Sequence, residues 1–412
     1  MGERVILHCD MNNFYASVEC MLDNRLRNRA VAVCGSVEER HGIVLAKNER
    51  AKACGVATGE AVWQARQKCR DLVVVQPHYE KYVEASKHAR EIYGCYTDQV
   101  EPFGMDECWL DVTASRTMGT GLEIAEEIRE RIKRELGLTI SVGVSFNKIF
   151  AKLGSDLKKP DAVTCIAKES FRKQIWELPA SDMMGVGRAT ERALAGYGIK
   201  TIGQLAAAPI ELMQRRFGKN GIALVSAANG EDASPVMKSD AASPVKSIGH
   251  GITTAEDLIT PSEVWCVMLD LVQEIGRKLR LHKKKAGGVS IGIRNNELDT
   301  KEWQCRLELP TQSPLQLAKT AFQLFERSYR WQCPIRSVTV RAIELLEEDA
   351  PIQLDLFTDP AKIERQEKLD RAVESIRARF GKSAIKNAIL CQGIKLPSEK
   401  GMCLLPHSRM FD

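Results

Sequence analysis

The stretch VEPFGMDECWLDVT, residues Val100–Thr113, sets two adjacent acids, Asp106 and Glu107, at the mouth of an alternating segment. Cys108, Leu110 and Val112 share one side of an extended chain, so the segment is a strand with one apolar face. Neighbouring side chains on a strand point to opposite faces, and the two acids serve one site only if the backbone turns before them. Gly104 supplies that turn signal. Toward the N-terminus, the β-prone run Val5–Cys9 ends at a third acid, Asp10, and NNFYASVECML after it has helical apolar spacing. Toward the C-terminus, Leu122, Ala125, Ile128, Ile132 and Leu136 form a helical stripe closed by Gly137, and the β-branched TISVGVSF is a further strand. A strand followed by β-α-β predicts an α+β sheet with helices on one face and acids from distant positions at its edge.

Magnesium takes hard oxygen ligands and keeps several waters, so two or three carboxylates plus substrate phosphates suffice for a catalytic site. Asp10, Asp106 and Glu107 provide such a set, although acids in these positions also serve merely as solvated loop ends. The chain has 412 residues, and roughly 150 residues per domain gives about three modules. A composition 44% apolar and 27% charged is that of globular modules and excludes a disordered chain. Lys and Arg number 59 against 54 acids, so net charge says little about a polyanionic partner. Distribution says more: six of nine residues in RKLRLHKKK, Arg277–Lys285, are basic, a density suited to phosphate or to a solvated helix end. The 13 cysteines contain no CxxC pair or zinc-type spacing, which predicts reduced thiols in a cytoplasm. No run approaches 18 apolar residues, and Ile6 stands where myristoylation needs Ser or Thr, so a soluble cytoplasmic protein without a membrane partner is expected.

The Ser-, Ala- and Pro-rich EDASPVMKSDAASPVKS, 231–247, predicts a linker, with a second α+β unit over Ile248–Leu346. A tail helix is expected from Asp359-Pro360, with the stripe Ile363, Leu369, Val373, Ile376 and Phe380 stopped by Gly381.

HCDMNNFYASVE (8–19), GMDECWLDVT (104–113) and GVSFNKIFAKLGSDLKKPDA (143–162) together resemble the consecutive motifs of the Y-family of lesion-bypass DNA polymerases, on its bacterial branch. The similarity extends over about residues 4–345, in order. It implies a multidomain α+β right-hand polymerase. A ferredoxin-like palm would occupy 1–12 and 78–166, small fingers 13–77, and a helical helix-hairpin-helix thumb 167–232. A linker would follow over 233–247, then an α+β little finger over 248–346 and a C-terminal tail over 347–412. Its activity would be template-directed, low-fidelity translesion synthesis, transferring a nucleotide from a dNTP to the primer 3′-hydroxyl with release of pyrophosphate.

By the same resemblance Asp10 and Asp106 are metal ligands, Glu107 is a ligand and the catalytic acid side chain, and the Met11 carbonyl is an additional ligand. Two Mg²⁺ ions, replaceable by Mn²⁺, would stabilise an in-line displacement from positions about 3.5–4 Å apart. Tyr15 takes the steric-gate position that excludes a ribose 2′-hydroxyl. Two departures stand out: Asn12 replaces an acid common in relatives, and KNERAKACGV (47–56) replaces a Tyr-Glu-Ala-Arg phosphate grip. Registered on Gly-Val, Lys52 takes the arginine position and Glu49 the tyrosine. A lysine lacks the guanidinium fork, so triphosphate binding would persist with less bidentate specificity. Lys159 matches a phosphate-contacting palm lysine.

MMGVGRATERALAGYGIKTIGQLA (183–206) resembles a helix-hairpin-helix, in which Gly185 and Gly187 permit a tight turn and a helix N-terminus faces duplex phosphate. Arg277, Lys278, Arg280, Lys283, Lys284 and Lys285 fall in the region matching the little finger. Gln353, Leu354, Asp355, Leu356 and Phe357 look like a peptide that binds the bacterial sliding clamp. The implied partners are primer-template DNA, dNTPs and that clamp, with the protein itself a monomer. Two other readings share parts of this pattern: a palm-type nucleotide cyclase, and a catalytically silent accessory that binds DNA or the clamp.

Overall fold

The structure, a computed structural model, describes residues 3–38, 40, 42–241, 244–351 and 359–391. These fall mainly into two compact units, 3–35 with 43–241, and 244–351 with 359–391.

The first unit opens with β1 (Ile6–Met11) and α1 (Phe14–Leu22). A small mixed sheet follows, made of β2 (Val31–Cys34), β3 (Val44–Lys47) and β4 (Val73–Val75) in the order β3-β2-β4. Between its strands lie α2 (Glu49–Ala53), whose first turn is capped by the Asn48 side chain, and α3 (Val62–Lys68). Val44, Ala51, Val62, Ala65 and Leu72 close a core of their own.

The chain then runs through α4 (Tyr79–Gly94), β5 (Val100–Pro102), β6 (Glu107–Asp111), α5 (Gly121–Arg131), β7 (Ile140–Ser145), α6 (Lys148–Leu157) and β8 (Val163–Ile166). The five strands stand in the order β5-β6-β1-β7-β8. β1 is central and antiparallel to β6 and β7. The succession β1-α4-β5-β6-α5-β7 is the ferredoxin-like arrangement, extended by β8 running parallel to β7. A Thr120–Glu123 capping box starts α5. Its buried stripe is Ile124, Ala125 and Ile128, continued by Ile132 just past its end, while Leu122, the first member of the expected stripe, is exposed.

Helices cover both faces of this sheet, a correction to the single covered face read from the sequence. Leu7, Cys9, Cys108, Leu110, Val142 and Val144 share a core with residues of α4 and α5. On the other face Ile6 and Trp109 pack with Ala151 of α6. Glycine permits this second layer. A Cβ on Gly143 would lie 1.9 Å from the Ala151 carbonyl oxygen, and one on Gly154 only 3.1 Å from the Gly143 Cα. Two bare backbones let α6 sit directly on β7, a cue that apolar periodicity does not contain.

Five short helices complete the unit: α7 (Phe171–Ile175), α8 (Arg188–Ala195), α9 (Ile202–Ala206), α10 (Ile210–Phe217) and α11 (Lys219–Ala228). Ile175, Leu194, Leu205, Met213 and Leu224 form their core, which takes in Phe150 and Leu153 of α6. Among the described residues, the Pro- and Ser-rich stretch after α11 has no regular structure but is not free. Val236 is 3% exposed and packs with Ile6 and Trp109. Met237 N–H donates to Glu101 Oε2 at 2.9 Å, and Ser239 N–H to the Asp98 carbonyl at 3.1 Å. A single apolar side chain in a polar run suffices to dock it.

In the second unit β9 (Ile248–Leu258), α12 (Pro261–Leu281), β10 (Lys284–Asn295), β11 (Thr300–Thr311), α13 (Pro314–Ser328) and β12 (Ile335–Glu347) form an antiparallel sheet, β11-β10-β12-β9, packed against two helices. α14 (Pro360–Phe380) ends at Gly381, whose φ is +94°. Leu369, Ile376 and Phe380 of its expected stripe are exposed. Polar ties hold the helix instead: Arg280 pairs with Glu374, and Arg377 donates to Gln273 Oε1 at 2.9 Å.

Gly143→Val should separate α6 from β7 and cost about 3 kcal/mol or more in urea unfolding; wild-type stability would mean that the helix does not need this close approach.

Candidate active site

Asp10 is the fifth residue of β1 and stands directly across from Glu107, the first of β6. Directly opposed residues of antiparallel strands share a face, so both carboxylates emerge on the side that α6 covers. Asp106 ends the turn between β5 and β6, which is closed by Phe103 and Gly104 N–H groups donating to the Glu107 carbonyl at 2.9 and 3.3 Å. Met11 N–H donates to the Asp106 carbonyl at 2.9 Å and stitches this turn to β1. A Cβ on Gly104 would come within 3.1 Å of Asp106 Oδ1, so the glycine leaves the carboxylate room as well as making the bend. One strand pairing thereby gathers Asp10 with two adjacent acids from nearly a hundred residues further along the chain.

Opposite them α6 presents cations. Lys152 Nζ donates to Glu107 Oε1 at 2.8 Å and Asp10 Oδ2 at 3.3 Å, and lies 3.2 Å from Asp156 Oδ2. Lys159, just beyond the helix, donates to Asp10 Oδ2 at 2.7 Å and lies 2.9 Å from Asp156 Oδ1. Burial pushes Asp106 up to about 6, with the charge of Asp10 adding to it. Burial likewise pushes Glu107 up to about 7, outweighing the pull of the Lys152 ammonium, and Asp10 adds to the rise. Burial alone would lower Lys152, yet Glu107, Asp10 and Asp156 hold it well above the usual range. His8, fully buried behind Glu107, is driven well below its ordinary value by desolvation and then by the two lysines, so it adds no charge. Among the described residues no three His, Cys, Asp or Glu side chains form a ready-made metal cage. The donor chemistry nevertheless fits hard divalent cations: the oxygens are carboxylates, and two of them are held above their usual range by burial and by the charge of Asp10, a state that bound positive charge relieves.

Lys152 was not singled out from the sequence, although a signal was there: Lys152 and Asp156 fall at i and i+4 on one helical face. Asn12 also has a definite task. Its Nδ2 donates to Ser141 Oγ at 2.9 Å and its Oδ1 accepts from Asp161 N–H at 2.9 Å. The loop that carries Lys159 is thus tied to the end of β1. Asp161 is fixed in turn by Arg129 at 2.9 Å and Lys133 at 2.8 Å.

Tyr15, in the first turn of α1, stacks on Tyr82 of α4 with centroids 4.3 Å apart and planes inclined by 11°. Tyr79 meets its edge at 5.9 Å. The Tyr82 hydroxyl donates to buried Glu19, which also accepts from His78 N–H at 3.3 Å, so the stack has a fixed backing. Lys52 is exposed and lies 3.7 Å from Glu49; no contact joins it to the acids. Gly185 has φ +93° and Gly187 is the N-cap of α8, the tight turn that the glycine spacing predicts. In the basic run Arg277 pairs with Glu274 at 2.6 Å, Arg280 with Glu374, and Lys284 with Glu347, so these three are engaged inside their own unit. Lys283 is exposed, while Lys278 and Lys285 are half-buried. Gln353–Phe357 lie outside the described residues.

With fold and geometry in place, the comparisons define a class and then a family. A chimeric Y-family DNA polymerase of known structure superposes with a TM-score of 0.74 over 83% of this chain and 99% of its own, at 22% identity, which is a likeness of fold. Residues 9–156 match the impB/mucB/samB family, and 245–356 match its C-terminal domain. DNA polymerase IV of Acetivibrio thermocellus is 49% identical over 391 residues, 95% of this chain and 98% of that protein. DNA polymerase IV 2 of Bacillus subtilis is 37% identical over 399 residues, 94% and 95% of the two chains. The chain belongs to the impB/mucB/samB family of Y-family DNA polymerases, in the DNA polymerase IV branch.

The raised carboxyls predict a pH dependence. Unfolded, both titrate near roughly 4, whereas the folded protein favours their neutral forms. The folded state therefore holds this advantage in full only below roughly 4, and loses it as pH rises from there through about 6 for Asp106 and about 7 for Glu107. In metal-free buffer wild type should lose stability relative to Glu107→Gln as pH rises through that window. Calorimetric melting temperatures that differ by the same amount throughout would show that the Glu107 carboxyl is not raised.

Proposed function

We propose that this DNA-directed translesion polymerase extends a primer at the cluster of Asp10, Asp106 and Glu107, using a dNTP and releasing pyrophosphate. What carries this reading is the β1–β6 pairing, which sets Asp10 across from Glu107 with Asp106 in the adjoining turn. Nucleotidyl transfer in this family needs divalent metal. The ligands here would be the three carboxylates with the Met11 carbonyl. When bound, two Mg²⁺ ions, or Mn²⁺ in their place, supply Lewis-acid stabilisation of charge on the primer oxygen and the triphosphate.

The remaining roles belong to the chain's own side chains. Lys159, oriented by the Asn12-anchored loop, neutralises triphosphate charge, and exposed Lys52 contributes from α2. Tyr15, held flat by Tyr82, lies under the incoming sugar and leaves no space for a 2′-hydroxyl. The Gly185–Gly187 turn and the start of α8 offer backbone N–H groups to duplex phosphate regardless of sequence. Lys278, Lys283 and Lys285 make salt-dependent phosphate contacts in the second unit, and Arg277, Arg280 and Lys284 join them only by leaving their present partners.

In domain terms, 1–12 with 78–166 act as palm, 13–77 as fingers, 167–232 as thumb and 248–346 as little finger. The 233–247 segment links thumb to little finger, and Gln353–Phe357 in the 347–412 tail engages a bacterial sliding clamp. The protein works as a cytoplasmic monomer; no described helix is long and apolar enough to cross a membrane. A cyclase or a silent accessory accounts for neither the family match in both halves of the chain nor the extent of identity to named polymerases.

Asp106→Ala should lower primer extension by roughly a thousandfold or more, the order lost when charge stabilisation is removed, with no loss of melting temperature. Extension at wild-type rate would remove the acid from the chemistry. Tyr15→Ala should raise ribonucleotide incorporation by at least roughly tenfold, and unaltered sugar selectivity in the same assay would free the ring of that role.

A further inference from the structure

The acid cluster contains a cation that belongs to the chain. Lys152 reaches Glu107, Asp10 and Asp156 at 2.8, 3.3 and 3.2 Å, and its side chain is 15% exposed. Its helix cannot drift, because Gly143 and Gly154 lock α6 against β7. The carbonyl of Lys152 is fixed too, accepting from Ser155 Oγ at 2.7 Å. That hydroxyl has one proton and gives it to the carbonyl, so at 2.8 Å it accepts from His8 Nδ1–H. The other nitrogen of the neutral ring, Nε2, has no hydrogen-bond partner and faces Glu107 Oε2 at 3.8 Å with a lone pair instead of a proton. His8 therefore holds the helix in register while leaving charge compensation to the lysines.

Two roles separate Lys152 from Lys159. Lys159 sits beyond the helix on the Asn12-anchored loop and touches only Asp10 among the three cluster acids. Lys152 bridges the two strands, with one contact to β1 and one to β6. Its third partner, Asp156, is one turn along the same helix, 43% exposed and outside the cluster. An ammonium moving wholly to Asp156 needs only side-chain torsions, since that contact already exists.

We propose that Lys152 is a tethered counter-ion: it holds Asp10 and Glu107 together while no divalent cation is bound, and withdraws to Asp156 when cations enter. The proposal rests on the reading of the three acids as cation ligands. Carboxylates a few ångströms apart repel strongly in a partly desolvated site, so an empty cluster needs such a charge to stay assembled. The same charge competes with incoming metal, and competition is reciprocal. Cation affinity of the free enzyme is thereby kept low, and loading is favoured when triphosphate oxygens arrive to complete the ligand set.

The experiment uses the full chain without DNA, with Mn²⁺ as probe, reading its binding by electron paramagnetic resonance and thermal unfolding in EDTA and in Mn²⁺. Lys152→Met should melt below wild type in EDTA, recover much of the difference in Mn²⁺, and bind Mn²⁺ about tenfold more tightly, at the lower end of effects from groups that hold metal ligands. Asp156→Asn should bind Mn²⁺ more weakly than wild type, and this effect should vanish in the Lys152→Met background. Lys158→Met, an exposed neighbour, sets the size of a purely long-range charge effect. Unchanged Mn²⁺ affinity in Lys152→Met, an effect no larger than that of Lys158→Met, or strict additivity of the two substitutions overturns the proposal. If Lys152→Met does not fold, Lys152→Arg decides: weak binding that Asp156→Asn weakens further upholds the tether, and no response to Asp156→Asn overturns it. Failure of the underlying reading looks different, because Asp106→Ala would then bind Mn²⁺ as wild type does.

Discussion

Everything at this site depends on mutual repulsion among Asp10, Asp106 and Glu107, brought together by the pairing of β1 with β6 and opposed by the ammonium groups of Lys152 on α6 and Lys159 just beyond it. Neither half of that balance is local. The acids meet because two strands nearly a hundred residues apart lie side by side, and the lysines meet them because Gly143 and Gly154 let a helix rest on bare backbone. A cluster that is poorly compensated has a reason to take up hard cations, and on the proposed reading the fold's tolerance of this repulsion is the basis of its chemistry.

Around the cluster, structure is spent on orientation. Asn12 ties the Lys159 loop to β1, and Met11 N–H ties the acidic turn to the same strand. Tyr82 and Glu19 hold Tyr15 flat. In each case a polar or aromatic contact made across elements fixes a side chain that its own element would leave free to rotate, which is the pre-organisation that transfer chemistry requires.

The second unit shows the opposite use of charge. Its basic run looks, as a string, like six equivalent phosphate contacts, but Arg277, Arg280 and Lys284 are already satisfied by Glu274, Glu374 and Glu347. These pairs leave Lys278, Lys283 and Lys285 as the members of the run the proposed phosphate contacts would use without breaking a pair.

Strand alternation, the acids at strand ends, the glycine turn at Gly104 and the motif blocks were all legible in the sequence, because each depends on a period or spacing within a dozen residues. The succession of elements gave an α+β sheet, while family resemblance supplied the ferredoxin-like palm and Tyr15 and Lys159 as candidates. Coverage of the second sheet face, the docking of Val236, the engagement of the basic run and the place of Lys152 were decided only by tertiary structure. A lysine on an amphipathic helix is ordinarily solvated, and its i+4 partner Asp156 does not report that two further carboxylates, Asp10 and Glu107, reach it from other elements. Local pattern determines what each segment becomes, whereas charge compensation is a sum over space, and that sum exists only once the chain has folded.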